Sequence, residues 1–288
     1  MKLACADDTF RLLRPHRAAL ELVAALGVEG VDLFLAGNRS IVRPEDVRGN
    51  VAAADAGIAR DVDEAGLRVS DVFVIPWNDL ETMAPNHPNA DQRDAARALF
   101  VDMVELATRI RAPGLTILPG IHWLAESYED SAARASEELA WRAEHARSEG
   151  LRFSVEPHVG SIVPTPESAK ALVERTPGLE LTLDLSHFIR QGIAVADSDV
   201  LVSDTRHVHV RGATRTRVQA SVRASTLDVE RMVATLEAGG YEGYLALEYV
   251  WLRWEHCDEC DNLAETILLR DRLRAALGRT PWTYPDVG

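Results

Sequence analysis

Eight short β-type runs recur along the chain, most of them separated by stretches of helical spacing, and this alternation leaves few folds open. The strand-like runs lie near Lys2 to Ala6, Val31 to Leu35, Leu67 to Ile75, Leu115 to Leu118, Leu151 to Glu156, Leu179 to Asp184, His207 to Val210 and Tyr244 to Tyr249. Between them, Glu45 to Glu64, Ala95 to Ile110, Ser131 to Glu149, Pro166 to Arg175 and Asp228 to Ala238 carry apolar residues along one helical face, as does Leu263 to Leu277 after the last strand. Gly150, Gly178 and Gly239-Gly240 supply stop signals after three of them. Strand followed by helix, repeated, predicts parallel strands, and eight is the number that closes a barrel. The expectation is an α/β fold, a (β/α)8 TIM barrel, as a single domain over residues 1–288. The weakest link is Gln191 to Thr205, where the helix between the sixth and seventh strands reads as short and irregular.

Composition narrows the function. A formal net charge of -14 argues against a chain that tracks phosphate backbones, so no nucleic acid is expected as partner. No run approaches the ~20 apolar residues of a membrane span, so no membrane partner is expected either. The N-terminus turns acidic at Asp7-Asp8, too early for a signal peptide, and three cysteines are too few and odd in number for a disulfide framework. A reducing cytoplasm is the expected location. The only two lysines, Lys2 and Lys170, sit away from the predicted C-terminal strand ends, which leaves Schiff-base chemistry without a nucleophile.

Four apolar runs end in a hard ligand: Val155-Glu156, Leu183-Asp184, Val208-His209 and Leu247-Glu248. Strand periodicity sets Leu181, Leu183 and Leu185 on one face and Thr182 and Asp184 on the other. Taken singly, Asp184 and Glu156 would serve equally well as caps for the loops that follow them. In a parallel barrel, however, all C-terminal strand ends open on one face, so the four side chains would converge there. Two glutamates, an aspartate and a histidine suit one divalent ion, Mn²⁺, Mg²⁺ or Co²⁺ ahead of Zn²⁺ or Fe²⁺.

The pieces Val155-Glu156-Pro157-His158, Leu183-Asp184-Leu185-Ser186-His187, Val208-His209-Val210-Arg211 and Leu247-Glu248 resemble, in order and approximate spacing, the xylose isomerase-like TIM barrels, the superfamily of sugar isomerases and epimerases that also holds endonuclease IV. The resemblance implies that Glu156, Asp184, His209 and Glu248 bind one metal ion, and that Glu156 and Glu248 exchange protons with the carbon next to a carbonyl. It further implies that His187 faces the substrate and that Arg215 contacts sugar hydroxyls. The expected reaction is metal-dependent isomerisation or epimerisation of a keto sugar or cyclitol. A lyase or dehydratase acting by β-elimination, with His187 or His158 as the acid, is the alternative. A non-catalytic sugar-binding subunit is the alternative of another class, and a homodimer is what the resemblance implies for assembly.

The chain departs from the family at Gly212, where an acid usually supports the metal histidine, and at Val74-Ile75-Pro76-Trp77 and Ile117-Leu118-Pro119-Gly120, where endonuclease IV carries extra histidines. DNA repair is therefore not expected. His207 reads as a supporting or core histidine. Trp123, Trp251 and Trp254 follow strand ends, where an aromatic ring lines a sugar pocket or covers the barrel mouth, and Asn78 and His122 lie within loop reach. His158 reads as a substrate contact or a solvated loop residue. Cys257 and Cys260 form half of a zinc knuckle whose other half is absent.

Overall fold

The computed structural model describes residues 1–284. Its eight strands form a closed barrel in sequence order, every neighbouring pair parallel. They are β1 (Lys2–Ala6), β2 (Gly30–Ala36), β3 (Arg68–Ile75), β4 (Gly114–Ile117), β5 (Arg152–Val155), β6 (Glu180–Asp184), β7 (Thr205–Val210) and β8 (Tyr244–Leu247). The helices are α1 (His16–Ala25), α2 (Pro44–Val47), α3 (Val51–Glu64), α4 (Ala90–Arg109), α5 (Tyr128–Ser148), α6 (Pro166–Arg175), α7 (Leu185–Arg190), α8 (Val229–Ala238) and α9 (Asn262–Ala276).

Three differences from the sequence reading have local causes. Residues Glu45 to Glu64 form two helices, because the chain turns through Gly49, at φ 68, before α3 begins. A short helix, α7, directly follows β6, and the irregular stretch from Gln191 to Thr205 after it holds Gly192 at φ 75 and a 3-10 helix over Val195–Asp204. Helix α1 was not anticipated; it buries Ala19, Leu20 and Val23 on one face.

The strand faces divide by polarity. Val31, Leu33, Leu115, Leu181, Leu183 and Leu245 belong to the apolar core. The barrel interior is polar instead: Thr116 Oγ1 lies 2.7 Å from Thr182 Oγ1 and 3.2 Å from Ser154 Oγ, so hydroxyls of three strands meet. Two register shifts break strict alternation. Between β6 and β7, Leu181 faces Thr205 while Thr182 faces His207, so Arg206 is the extra residue of a bulge. Arg206 and His207 consequently both reach buried polar partners. Arg206 donates to Asp71 Oδ1 at 2.9 Å, to Thr116 Oγ1 at 2.8 Å and to Ser154 Oγ at 2.7 Å. Gly114 makes room for it, since a Cβ there would collide with the guanidinium. The second shift, between β2 and β3, lets Ser70 and Asp71 both find polar partners, Asp32 and Arg206.

Arg206 and Asp71 are 3% and 0% exposed, so removing one strands the other in a medium that stabilises a lone charge poorly. Arg206→Ala is expected to cost about 3–5 kcal/mol in urea unfolding. The double substitution Arg206→Met with Asp71→Leu is expected to recover most of that loss, because it removes both charges; equal destabilisation of single and double variants would refute this account.

Candidate metal and substrate site at the barrel mouth

Parallel closure delivers the proposed ligands to one end. Glu156 and Glu248 lie just past β5 and β8, and their amides donate to Ile117 and Val210 carbonyls at 3.1 and 3.0 Å, continuing the ladder. His209 is the penultimate residue of β7, and Asp184 ends β6. Glu156, His209 and Glu248 present one ligand atom each within 4.8 Å of one another, all buried. His209 Nδ1 lies 2.7 Å from Glu156 Oε1 and 3.3 Å from Glu248 Oε2. Its ring is flanked by Phe34 and Phe73 at centroid distances of 5.8 and 5.4 Å.

Asp184 stands beside this trio. Its Oδ1 accepts from the Ser186 amide at 2.8 Å and caps α7, while its Oδ2 accepts from Arg211 Nη2 at 2.7 Å. The cap and the site are therefore the same carboxylate. Capping also explains why the chain turns into a helix directly after β6, and that turn carries His187 into the interior, where it is fully buried.

Two residues gain a role that the sequence reading left out. Asp32 of β2 sets Oδ2 3.3 Å from His209 Nε2 and 2.7 Å from His207 Nε2. The carboxylate missing at Gly212 is thus supplied from across the barrel, and His207 helps to hold it in place. Such a partner fixes the ring of a ligating histidine and raises its basicity. The only sequence signal was an acid inside the apolar run Val31-Asp32-Leu33. The second residue is Arg211, which is 3% exposed. Its Nε donates to Ser186 Oγ at 3.0 Å, Nη2 lies 3.0 Å from His187 Nε2, and Nη1 lies 3.7 Å from Glu248 Oε1.

These contacts set the charges. Burial works against charge on His209, yet Glu248, Asp32 and Glu156 outweigh it and hold its pKa well above the usual imidazole value. Burial likewise opposes charge on Asp32, but His207 and His209 keep it below the ordinary carboxylate range. Burial pushes the Glu248 carboxyl up to about 8, against the pull of Arg211 and His209. His187 is held well below its usual value by burial, with His158, Arg211 and His209 adding to the effect, and burial also lowers His158. Both of these rings are neutral near pH 7. His158 Nδ1 donates to the Val159 carbonyl at 2.7 Å, which leaves its Nε2 an acceptor.

A cavity of about 260 Å³ opens over the trio, lined by Phe34, Phe73, Glu156, His158, Glu248 and Trp254 among others, with Arg211 at its edge. His158 stacks on Trp254 and packs at a tilt against His187, at centroid distances of 5.2 and 3.9 Å. Trp254 and Asn78 thus reach the cavity. Trp123 does not line it: its indole lies against His87, and Nε1 donates to Asn86 Oδ1 at 3.3 Å. His122 is exposed, 3.2 Å from the Glu126 carbonyl, and Trp251 is turned outward. Arg215 is exposed against Gly192, outside the cavity lining, and Arg211 holds the buried position next to Asp184. Cys257 is buried against Val218 and Val250.

The residues present fit a divalent cation. Two carboxylate oxygens and an imidazole nitrogen form a hard donor set, and Asp184 adds a third carboxylate alongside. Among the described residues, Glu248 Oε2 is buried without a hydrogen-bond partner, an arrangement that a cation would satisfy.

Comparison with known proteins agrees with this architecture. A 3-keto-D-glucoside 4-epimerase, YcjR, from E. coli superposes with a TM-score of 0.69 at 15% identity, over 96% of this chain and 98% of that chain. A D-psicose 3-epimerase solved with D-tagatose, from Clostridium cellulolyticum H10, gives 0.71 at 14% identity, over 96% and 97%. A xylose isomerase-like TIM barrel protein from Mycobacterium smegmatis, in complex with magnesium, gives 0.71 at 14% identity, over 96% of both chains. No curated protein sequence matches the chain. The family described as xylose isomerase-like TIM barrel matches residues 20–271, and the chain belongs to it.

Proposed function

We propose that this protein is a divalent-metal-dependent epimerase or isomerase that moves a proton at the carbon next to the carbonyl of a keto sugar or cyclitol. The observation that carries this reading is the convergence of Glu156 and Glu248 on His209 Nδ1, at 2.7 and 3.3 Å, with both glutamates lining one cavity. Inverting a carbon beside a carbonyl requires one group to remove a proton and a second to return one, and paired carboxylates meet that need. The epimerases with which the chain shares its fold support the same assignment.

Glu156, His209 and Glu248, with Asp184 beside them, would hold the ion, which when bound supplies Lewis-acid polarisation of the carbonyl. Asp32 lies behind the His209 ring, 3.3 Å from Nε2, and Arg211 keeps Asp184 in place. Phe34, Phe73 and Trp254 give the cavity apolar walls that exclude water from the reacting carbon. His158 offers a neutral acceptor for a substrate hydroxyl, and His187, whose Nε2 faces the Arg211 donor, packs against the His158 ring at a centroid distance of 3.9 Å.

The same hydrogen bonds weigh against His158 and His187 as the acid of a β-elimination. A lyase needs a proton donor at the leaving oxygen, whereas His158 Nδ1–H is engaged by Val159 and His187 Nε2 faces a guanidinium donor.

Incubation of the metal-loaded protein with keto sugars in D2O is expected to yield epimer carrying deuterium at the carbon next to the carbonyl, read by NMR and mass. A product lighter by one water would identify the lyase instead. Glu156→Gln and Glu248→Gln are each expected to lower the epimerisation rate about 10²–10⁴-fold, the usual worth of a general acid or base. Retention of near-wild-type turnover by either variant would remove it from the reaction.

Metal dependence has its own readout in thermal unfolding. At a free ion concentration of about 100 times Kd, Mn²⁺ or Mg²⁺ is expected to stabilise the wild type by about 2.7 kcal/mol. His209→Ala is expected to abolish the shift, and Asp32→Asn to weaken affinity about 10–100-fold as a change in ligand orientation. A wild-type unfolding temperature indifferent to every divalent ion would overturn the metal site.

A further inference from the structure

We propose that Arg39 and Arg253 form an anion-binding subsite at the rim of the cavity, so that the substrate is a keto sugar or cyclitol bearing a carboxylate or phosphate group. The proposal rests on the carbohydrate reading above and adds the chemical class of substrate to it.

Both arginines line the cavity that Glu156 and Glu248 line. Arg39 follows β2 and Arg253 follows β8, and these strands flank β1 in the barrel. The two guanidinium groups therefore come from loops on either side of the same strand end. That strand ends in Ala6, a small residue between Cys5 and the 3-10 helix over Asp7–Phe10. Arg253 takes part in no ion pair among the described residues and is exposed.

Arg39 is the more informative of the two. Its side chain is only 8% exposed, yet its one charged partner, Asp8 Oδ2, lies 3.4 Å from Nη2. Among the described residues, Arg39 Nε and Asp8 Oδ2 are both buried without a hydrogen-bond partner. A guanidinium that far from water ordinarily satisfies its N–H groups, and a planar anion presented from the cavity would pair with this one. Asp79, which also lines the cavity, engages both oxygens within its own turn, at 2.9 and 2.6 Å from the Glu81 and Thr82 amides and 2.8 Å from Thr82 Oγ1. Glu156 is hydrogen-bonded to His209 Nδ1 at 2.7 Å. Arg211 is held by Asp184 at 2.7 Å, whereas Arg39 meets Asp8 only at 3.4 Å with its Nε unpartnered, so Arg253 and the loosely paired Arg39 are the better placed to receive an anion.

Two matched pairs of keto sugars test this by titration calorimetry on the full chain with Mg²⁺ present. L-sorbose and 5-keto-D-gluconate share a skeleton that ends in CH2OH or carboxylate, and D-fructose and D-fructose 6-phosphate differ by the phosphate. At least one anionic member is expected to bind about tenfold or more tightly than its neutral partner, the worth of one hydrogen bond to a charged group. The pair that shows the difference distinguishes carboxylate from phosphate. Arg39→Gln and Arg253→Gln are each expected to collapse that ratio while leaving neutral-sugar affinity unchanged. Because Arg39→Gln leaves Asp8 buried beside a neutral side chain, the exposed Arg253 provides the variant that folds as wild type does. Equal affinities within both pairs, or variants that weaken neutral and anionic sugars alike, would overturn the subsite alone. Absence of binding by all four sugars would overturn the subsite and the carbohydrate reading together.

Discussion

Charge balance inside a closed barrel governs this molecule. Closing eight strands places one face of each against the others, and here that face carries Asp32, Asp71, Glu156, Asp184 and Glu248, all at most 4% exposed. Buried carboxylates persist only where cations and donors reach them. Arg206 meets that requirement for Asp71 at mid-barrel, His207 and His209 for Asp32, and Arg211 for Asp184 at the mouth. What stays incompletely balanced is the pair Glu156 and Glu248, with an unpartnered oxygen on Glu248. That residual imbalance is where a divalent ion belongs, and it lies where the cavity opens.

The interior is stratified as a result. Lower in the barrel, hydroxyls and Arg206 form a closed network that leaves no reactive group free, and it stiffens the strands. One layer up, Asp32 links His207 to His209 and so ties that rigid part to the proposed site. Above it, aromatic rings wall the cavity and two arginines stand at its rim. Arg39 and Arg253 thus share one cavity with Glu156 and Glu248, which is the arrangement that the proposed anionic substrate would need.

Much of the site was legible because its residues sit at the ends of short apolar runs. Glu156, His209 and Glu248 could be picked out from Val155-Glu156, Val208-His209 and Leu247-Glu248 once eight such runs had been counted. Arg215 rests on the family resemblance alone, and loop geometry places it against Gly192, outside the cavity lining, while Arg211 takes the buried position beside Asp184. Trp123 and Trp254 looked alike in sequence, each an aromatic after a strand. Only the path of each loop separates them, one packing on His87 and the other stacking on His158.

The sequence by itself determined the barrel, its strand order and the end at which chemistry-bearing residues gather, because alternation and periodicity are local properties that short windows record. Tertiary structure alone decided which acid supports which histidine. Asp32 and His207 are 175 positions apart and meet only because closure brings β2 and β7 to face each other across the interior. The bulge at Arg206, which turns two consecutive residues toward buried polar partners, is likewise a property of the pairing between strands and leaves no trace in the period of either.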